Sequence, residues 1–248
     1  MTELMDNDNT LHFKERMSLL GIDLKEHQIS QFLNYYELLV YWNTFMNLTA
    51  ITDFEEVLIK HFIDSVSLVK AVTDLSEKDY SVIDIGTGAG FPGIPLKIVF
   101  PNLNITLLDS LNKRVQFLNE VIDKLGLQNV TVIHGRAEDF ARPDKLRESF
   151  DLCISRAVAN LTTLSEYCLP FVKTGGYFIS YKSEKITEEF NNARGAIKIL
   201  GGKYENQVEF KLPDSDIYRN LFVIKKEKNT PLKFPRKAGI PSKEPLTK

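Results

Sequence analysis

The period of apolar positions changes once along this chain, near residue 80. Before that point the spacing is helical. Ile29, Phe32, Leu33, Tyr36, Leu39, Val40 and Trp42 share one face of a helix over Lys25–Met46, and Ile59, Phe62, Ile63, Val66 and Val69 share one over Val57–Val72. A shorter helical run, Leu11–Leu20, stops at Gly21. From Tyr80 onward β-branched runs alternate with helical ones. The strands expected are Ser81–Ile85, Asn104–Asp109, Val130–His134, Asp151–Ser155 and Gly176–Tyr181, and the helices between and after them are Pro92–Phe100, Lys113–Leu125, Leu161–Leu169 and Ile186–Leu200. The last two strand-like runs, Gly202–Leu212 and Asn220–Lys226, are joined by a loop too short for a crossover helix, so they should pair antiparallel at the sheet edge. The expected organisation is an N-terminal helical extension over residues 1–75 packed on the core, an α/β core over 76–228, and a basic, proline-rich tail over 229–248 lying on the surface.

The stretch Asp84-Ile85-Gly86-Thr87-Gly88-Ala89-Gly90-Phe91-Pro92-Gly93 closes the first strand with a carboxylate and alternating glycines. Glycines there let the backbone turn sharply and approach a ligand at the carboxyl end of the sheet. Read as Asp-x-Gly-x-Gly-x-Gly, it looks like the S-adenosylmethionine (SAM) loop of Rossmann-like methyltransferases. Gly88-Ala89-Gly90-Phe91-Pro92-Gly93 also spells the dinucleotide pattern Gly-x-Gly-x-x-Gly, so an NAD site and a purely structural turn stay open on the loop alone. A carboxylate at the strand end suits the ammonium of a methionine moiety better than a pyrophosphate. The late antiparallel hairpin is the second signal. By analogy with known folds, a mainly parallel sheet of seven strands finished in this way is the Rossmann-like, class I SAM-dependent methyltransferase arrangement.

Composition narrows the picture only slightly. A chain of 248 residues fits one domain with an appendage, and 43% apolar with 26% charged residues is ordinary for a globular protein. A net charge of −2 gives no global case for nucleic-acid binding, so that case must come from a local patch. No window is long and apolar enough for a membrane span. The first residues resemble no secretory or transit peptide, and Cys153 and Cys168 have no metal or redox spacing; a cytoplasmic monomer without metal is expected.

Four strand ends should line one crevice. Asp84, Gly86, Gly88, Gly90 and Phe91 would form its floor, and Asp109 would accept from ribose hydroxyls or, alternatively, cap the next helix. Ala137 and Glu138 would read an adenine edge or cap, and Arg156 would stand where the target meets the methyl group. At that fourth strand Ser155-Arg156-Ala157-Val158 is not the Asp/Asn-Pro-Pro-aromatic turn used for exocyclic amines, and both cysteines read as core thiols. A ring nitrogen such as guanine N7 needs neither a base nor a nucleophile, only orientation and electrostatics.

Several ordered segments then resemble one family across nearly the whole chain. They are Tyr41-Trp42-Asn43, Asn47-Leu48-Thr49-Ala50-Ile51, His61-Phe62-Ile63-Asp64-Ser65, the glycine loop through Pro95, Leu108-Asp109-Ser110, Lys113-Arg114, Arg136-Ala137-Glu138, Ser155–Ala159, Leu169-Pro170 and Phe234–Pro241. The set is similar to the bacterial RsmG (GidB) family of small-subunit ribosomal RNA guanine-N7 methyltransferases, with Thr87 and Ile63 as small departures. The resemblance implies a SAM donor and a guanine near the decoding site of 16S rRNA, in naked RNA or in the 30S subunit. By position it places cofactor contacts on Gly86, Phe91, Ala137, Glu138 and Arg156. For the RNA surface the candidates are Lys233, Arg236 and Lys237, in the chain past Leu221, where Glu227 and Glu244 alone oppose eight basic residues, together with Lys113, Arg114 and Lys182. Trp42, Tyr35 and Tyr36 could stack on bases, although their helical spacing fits core packing better. An NAD-dependent oxidoreductase and a non-catalytic SAM-binding regulator are the alternatives to an RNA methyltransferase.

Overall fold

The structure is a computed structural model and describes residues 7–183 and 187–246. Ile186, expected to open a helix, Lys248 of the basic tail and the first six residues lie outside the described residues. The first two helical runs appear as α1 Asn7–Ser18 and α2 Glu26–Asn43. α2 stops short of Met46 because Asn43 Oδ1 accepts from the amides of Leu48 at 2.8 Å and Thr49 at 3.0 Å, which folds the chain back.

The third run departs from the single α-helix expected over Val57–Val72. It opens as α3 Phe54–Val57, where Asp53 caps by accepting from the Glu56 amide at 3.0 Å. It then widens into a π-helical stretch, Leu58–Ile63, and continues as α4 Asp64–Val66 and a 3₁₀ turn, Ser67–Lys70. Two of its carbonyls are taken by side chains from the sheet. Arg156 donates to Lys60 O at 3.1 Å and Tyr181 donates to Ser65 O at 2.7 Å. π-helical turns of this kind are rare and frequent at functional sites.

The strands are β1 Ser81–Ile85, β2 Asn104–Asp109, β3 Val130–His134, β4 Phe150–Arg156, β5 Val172–Lys182, β6 Gly202–Lys211 and β7 Tyr218–Lys226. Together they form one sheet in the order β3-β2-β1-β4-β5-β7-β6. The first five are parallel, and β7 runs antiparallel to both β5 and β6. The late hairpin is therefore present, with its second strand inside: β7 is largely buried, whereas β6 is the exposed edge. Strand order reverses about β1, flanked by β2 and β4, which opens a crevice at the carboxyl ends of these strands.

Intervening helices are α5 Gly93–Val99, α6 Asn112–Leu125, α7 Ala137–Phe140, α8 Leu161–Cys168, α9 Thr187–Ile199 and α10 Ile240–Lys243; the short α7 and α10 have no counterpart in the sequence expectations. Both sheet faces are covered, so period-2 alternation sends Val82 into one apolar cluster and Ile83 into the other. The first cluster includes Phe13, Met17, Phe32, Tyr35 and Leu39 from α1 and α2, which ties the N-terminal helices to the sheet.

The second cluster takes in Phe234 of the tail, only 5% exposed. The tail runs over the body and is fastened to it. Arg147 donates to Phe234 O at 2.7 Å, Arg236 pairs with buried Glu166 at 2.7 Å, and the Gly239 amide donates to Glu138 at 2.8 Å. It was expected on the surface, and there both the apolar ring of Phe234 and the guanidinium of Arg236 have buried partners.

Candidate active site

The site grows from the turn after β1. Asp84 is fully buried, and its Oδ2 accepts from Thr87 Oγ1 at 2.7 Å and from the Gly93 amide at 2.9 Å. Burial pushes its carboxyl up to about 6. Oδ1 is also buried and has no hydrogen-bond partner among the described residues. Asp84 thus organises the loop from below, and Thr87 supplies the hydroxyl that holds it. Gly93 sits so close to β2 that a Cβ there would lie 2.3 Å from Leu107 Cδ2. Gly88 takes φ +62°, a conformation costly to a side chain, and its amide donates to Asp109 Oδ2 at 2.9 Å.

Asp109 makes the capping contact that the sequence suggested and lies at the crevice. Its Oδ1 accepts from the Leu111 amide at 2.9 Å, which caps the turn into α6, while the carboxylate lines the crevice beside Arg114 at 3.4 Å. The crevice has a volume of about 310 Å³ and is walled by Gly86, Ser110, Gly135, Ala137, Glu138 and Val158, with Arg136 and Tyr167 at its edge. Glu138 is 3% exposed and accepts from the tail at Gly239. The turn after β4 holds Ala157 at φ +58°, left-handed for a residue with a side chain, and brings Val158 against Gly86.

A second cavity of about 520 Å³ adjoins the first and shares Ala157 with it. Lys60, His61, Asp64, Arg156, Asn160, Lys182, Glu189 and Arg219 line it. Buried Asp64 accepts from Arg156 at 3.0 Å on one oxygen and from Arg219 at 2.8 Å on the other. Arg156 also donates toward His61 Nδ1 at 3.3 Å and lies 5.2 Å above the Phe91 ring. His61 in turn stacks on Phe91 with centroids 4.5 Å apart. Since Nδ1 faces a donor, Nε2 carries the proton and donates to Thr49 Oγ1 at 2.9 Å. Burial, reinforced by Arg156, lowers the imidazole from its ordinary 6.5 to about 4.

That depression has a consequence for stability. A group held below its unfolded value contributes fully above that value and loses its contribution as pH falls toward the folded one. Stability should therefore be lost between about pH 6.5 and 4, by up to about 3 kcal/mol from this group. His61→Gln, which retains an acceptor for Arg156 and a donor for Thr49, should flatten this part of the pH dependence of the urea midpoint. An equally steep curve in the variant would contradict the assignment.

Of the residues singled out from sequence, Gly86, Asp109, Ala137, Glu138 and Arg114 meet at the crevice, and Arg156 and Lys182 line the adjoining cavity. Phe91 sits below the loop in an aromatic cluster with Tyr35 and His61, and Gly90 packs in the same region, where a Cβ would meet Ile94 and Tyr35 at 2.7 Å. Tyr35 is core, its hydroxyl donating to Ala89 O, while Trp42 donates to Glu120 at 3.1 Å and Tyr36 to Thr52 O at 3.0 Å. Lys113, Lys233 and Lys237 are exposed away from these cavities. Arg236 is not a free charge, because both of its contacting nitrogens lie on Glu166, which is 1% exposed.

His61 and Asp64 lay within a quoted segment without a role, and Arg219 and Glu189 carried no signal at all. Both cysteines are buried and unbridged, and burial raises the Cys153 thiol well above its ordinary value, so neither is poised as a nucleophile. Cys153→Ser and Cys168→Ser should retain turnover and lose about 1–3 kcal/mol of stability for an added core hydroxyl. Loss of turnover in variants that fold would reinstate thiol chemistry.

Comparison with known proteins identifies the lineage. The sequence model of the GidB family, described as rRNA small subunit methyltransferase G, matches residues 28–218. The chain belongs to this family. It is 56% identical to the ribosomal RNA small subunit methyltransferase G of Lachnoclostridium phytofermentans, over 94% of this chain and 96% of that one. It is 54% identical to the protein of the same name from Acetivibrio thermocellus, over 94% and 95%. Among solved structures, a chain in the complex between the Haloferax volcanii Trm112 methyltransferase activator and the putative methyltransferase superposes with a TM-score of 0.50 at 15% identity, over 66% of this chain and 91% of that one, a likeness of fold alone. A methyltransferase G family member uses SAM, and the site fits it. Asp109 at the crevice suits ribose hydroxyls, and Asp84, buried beneath the loop, shapes the turn without lining the crevice. The choice between SAM and NAD that the glycine loop left open falls to SAM.

Proposed function

We propose that this chain transfers the methyl group of SAM to N7 of a guanine in 16S rRNA. What supports the reading is the end of β4. Ser155-Arg156-Ala157-Val158 supplies neither an amine-methylating turn nor a thiol nucleophile, yet it opens on a cavity contiguous with the cofactor crevice. Bound SAM supplies an electrophilic methyl on a sulfonium, whose S–C electron pair returns to sulfur as N7 forms the new bond. The protein's part is positional. Asp109, Ala137 and Glu138 would hold the adenosine, and Arg156, pinned by Asp64, fixes the wall between donor and acceptor. With no proton to remove from N7, the rate comes from orientation and a preorganised polar site.

The partner in this reading is the 30S subunit or its precursor, met by a monomer in the cytoplasm. Labelled SAM given with naked 16S rRNA and with 30S particles tests it: label in rRNA supports the reading, and SAM binding without transfer to either would leave a regulator. The exposed lysines of the tail are the proposed phosphate contacts. Lys233→Ala with Lys237→Ala should reduce the salt slope of RNA affinity by about 0.7 per lysine for single strands. An unchanged slope would make them solvated surface charges.

A further inference from the structure

We propose that the cavity at the ends of β4 and β5 receives the target guanine, turned out of its strand, and that Glu189 reads its Watson–Crick edge. The inference rests on the N7 reading above. If N7 is the reacting atom, it must face the donor and its lone pair cannot be held by the protein. On the opposite edge guanine differs from adenine, because N1–H and the exocyclic amine are both donors. A flipped base is read on this edge in other enzymes that modify bases. The cavity must therefore present an acceptor with free capacity.

Three side chains of the lining carry a carboxylate or amide oxygen. Asp64 is ruled out because each of its oxygens already holds a guanidinium. Asn160 Oδ1 is used as the cap of α8, accepting from the Thr163 amide at 3.0 Å. Glu189 differs. Its Oε1 accepts from the Leu161 amide and from Lys182 Nζ at 2.6 Å, which fixes the carboxylate between α8 and the end of β5. Its Oε2 has no hydrogen-bond partner among the described residues, and the side chain is 26% exposed at the cavity wall. A negatively charged acceptor with both lone pairs open, held in place by two donors on its other oxygen, is what N1–H and the amine require.

The charge also changes in the useful direction. Forming the N7–C bond places a positive charge on the purine and makes N1–H and the amine stronger donors. Hydrogen bonds to a carboxylate then tighten in the transition state relative to the bound base, which is how an interaction raises kcat and not affinity alone. Adenine presents an N1 lone pair toward the same oxygen and is repelled.

The test uses the full chain and 30S subunits reconstituted with rRNA bearing either guanine or inosine at the methylated position. Inosine keeps N7, O6 and N1–H and lacks only the amine. Wild type should lose about 10- to 100-fold in kcat/KM on inosine, the worth of one hydrogen bond to a charged group. Glu189→Gln retains an acceptor for the Leu161 amide, so it should fold and bind SAM as wild type does. It should be slow on guanine, with an inosine penalty reduced to within about 3-fold. An undiminished inosine penalty in Glu189→Gln, or none in wild type, would overturn the assignment even if guanine is methylated at N7. A wild-type product other than N7-methylguanine would instead remove the reading on which it rests.

Discussion

Asp109→Ala should weaken SAM binding by about 10- to 150-fold, the equivalent of roughly 1.5–3 kcal/mol in charge-assisted hydrogen bonds. The effect has two sources. The carboxylate lines the crevice at the end of β2, where it would accept from the ribose, and it also accepts from the amides of Gly88 and Leu111. Removing it takes away a ligand contact and frees the middle of the glycine loop together with the entry to α6. Asp109→Asn separates the two, since the amide oxygen can still accept from one backbone amide. Its affinity should fall between those of wild type and Asp109→Ala. Calorimetric titration of the folded variants with SAM checks this, and unchanged affinity in both would move the cofactor out of this crevice.

Arg236→Ala should cost about 3 kcal/mol of stability, because it takes the guanidinium from buried Glu166 and leaves that carboxyl with only the backbone amide of residue 236. At about 2–4 °C per kcal/mol for a chain of this size, Tm should fall by about 6–12 °C. Glu166→Gln with Arg236 intact should cost less, since the guanidinium is 24% exposed and can be hydrated. Scanning calorimetry of the two variants gives the order. If Arg236→Ala melts with wild type, the tail is not fastened through this pair, and Arg236 returns to the set of available RNA contacts.

How much of this was legible beforehand follows from the range of each interaction. Strands β1 to β3 matched their expected bounds because apolar, β-branched runs mark them, buried in β1 and most of β2 and half-buried or exposed at the edge in β3. The crevice followed from their ends and the turns after them, at Gly86, Asp109 and Glu138. The π-helical stretch was not legible. The guanidinium of Arg156, 96 residues beyond, reaches a carbonyl within it, and helical spacing over Val57–Val72 is silent about that contact. Asp84 was placed correctly at the strand end, but only the structure distinguishes the oxygen that holds the loop from the one left unpartnered. The tail misled in the same way. Its basic residues read as RNA contacts on a surface tail, while the feature that fastens it, Glu166, lies in a helix whose pattern does not mark that position as buried. Glu189 sits in a polar first turn that reads as a favourable charge at a helix start, and its relation to Lys182 and α8 exists only once β5 and α9 are folded together.

The account's central claim is the chemistry of the transferred methyl group. It is tested most directly by incubating the purified protein with labelled SAM and 30S subunits from cells lacking the activity, then treating the extracted rRNA with borohydride and aniline. N7-methylation weakens the purine so that the strand breaks at the modified base. The account predicts one labelled guanine in 16S rRNA, with the label lost from that position and a single new strand end beside it. Label that resists cleavage and is recovered as a methylated cytosine or N6-methyladenine would contradict it.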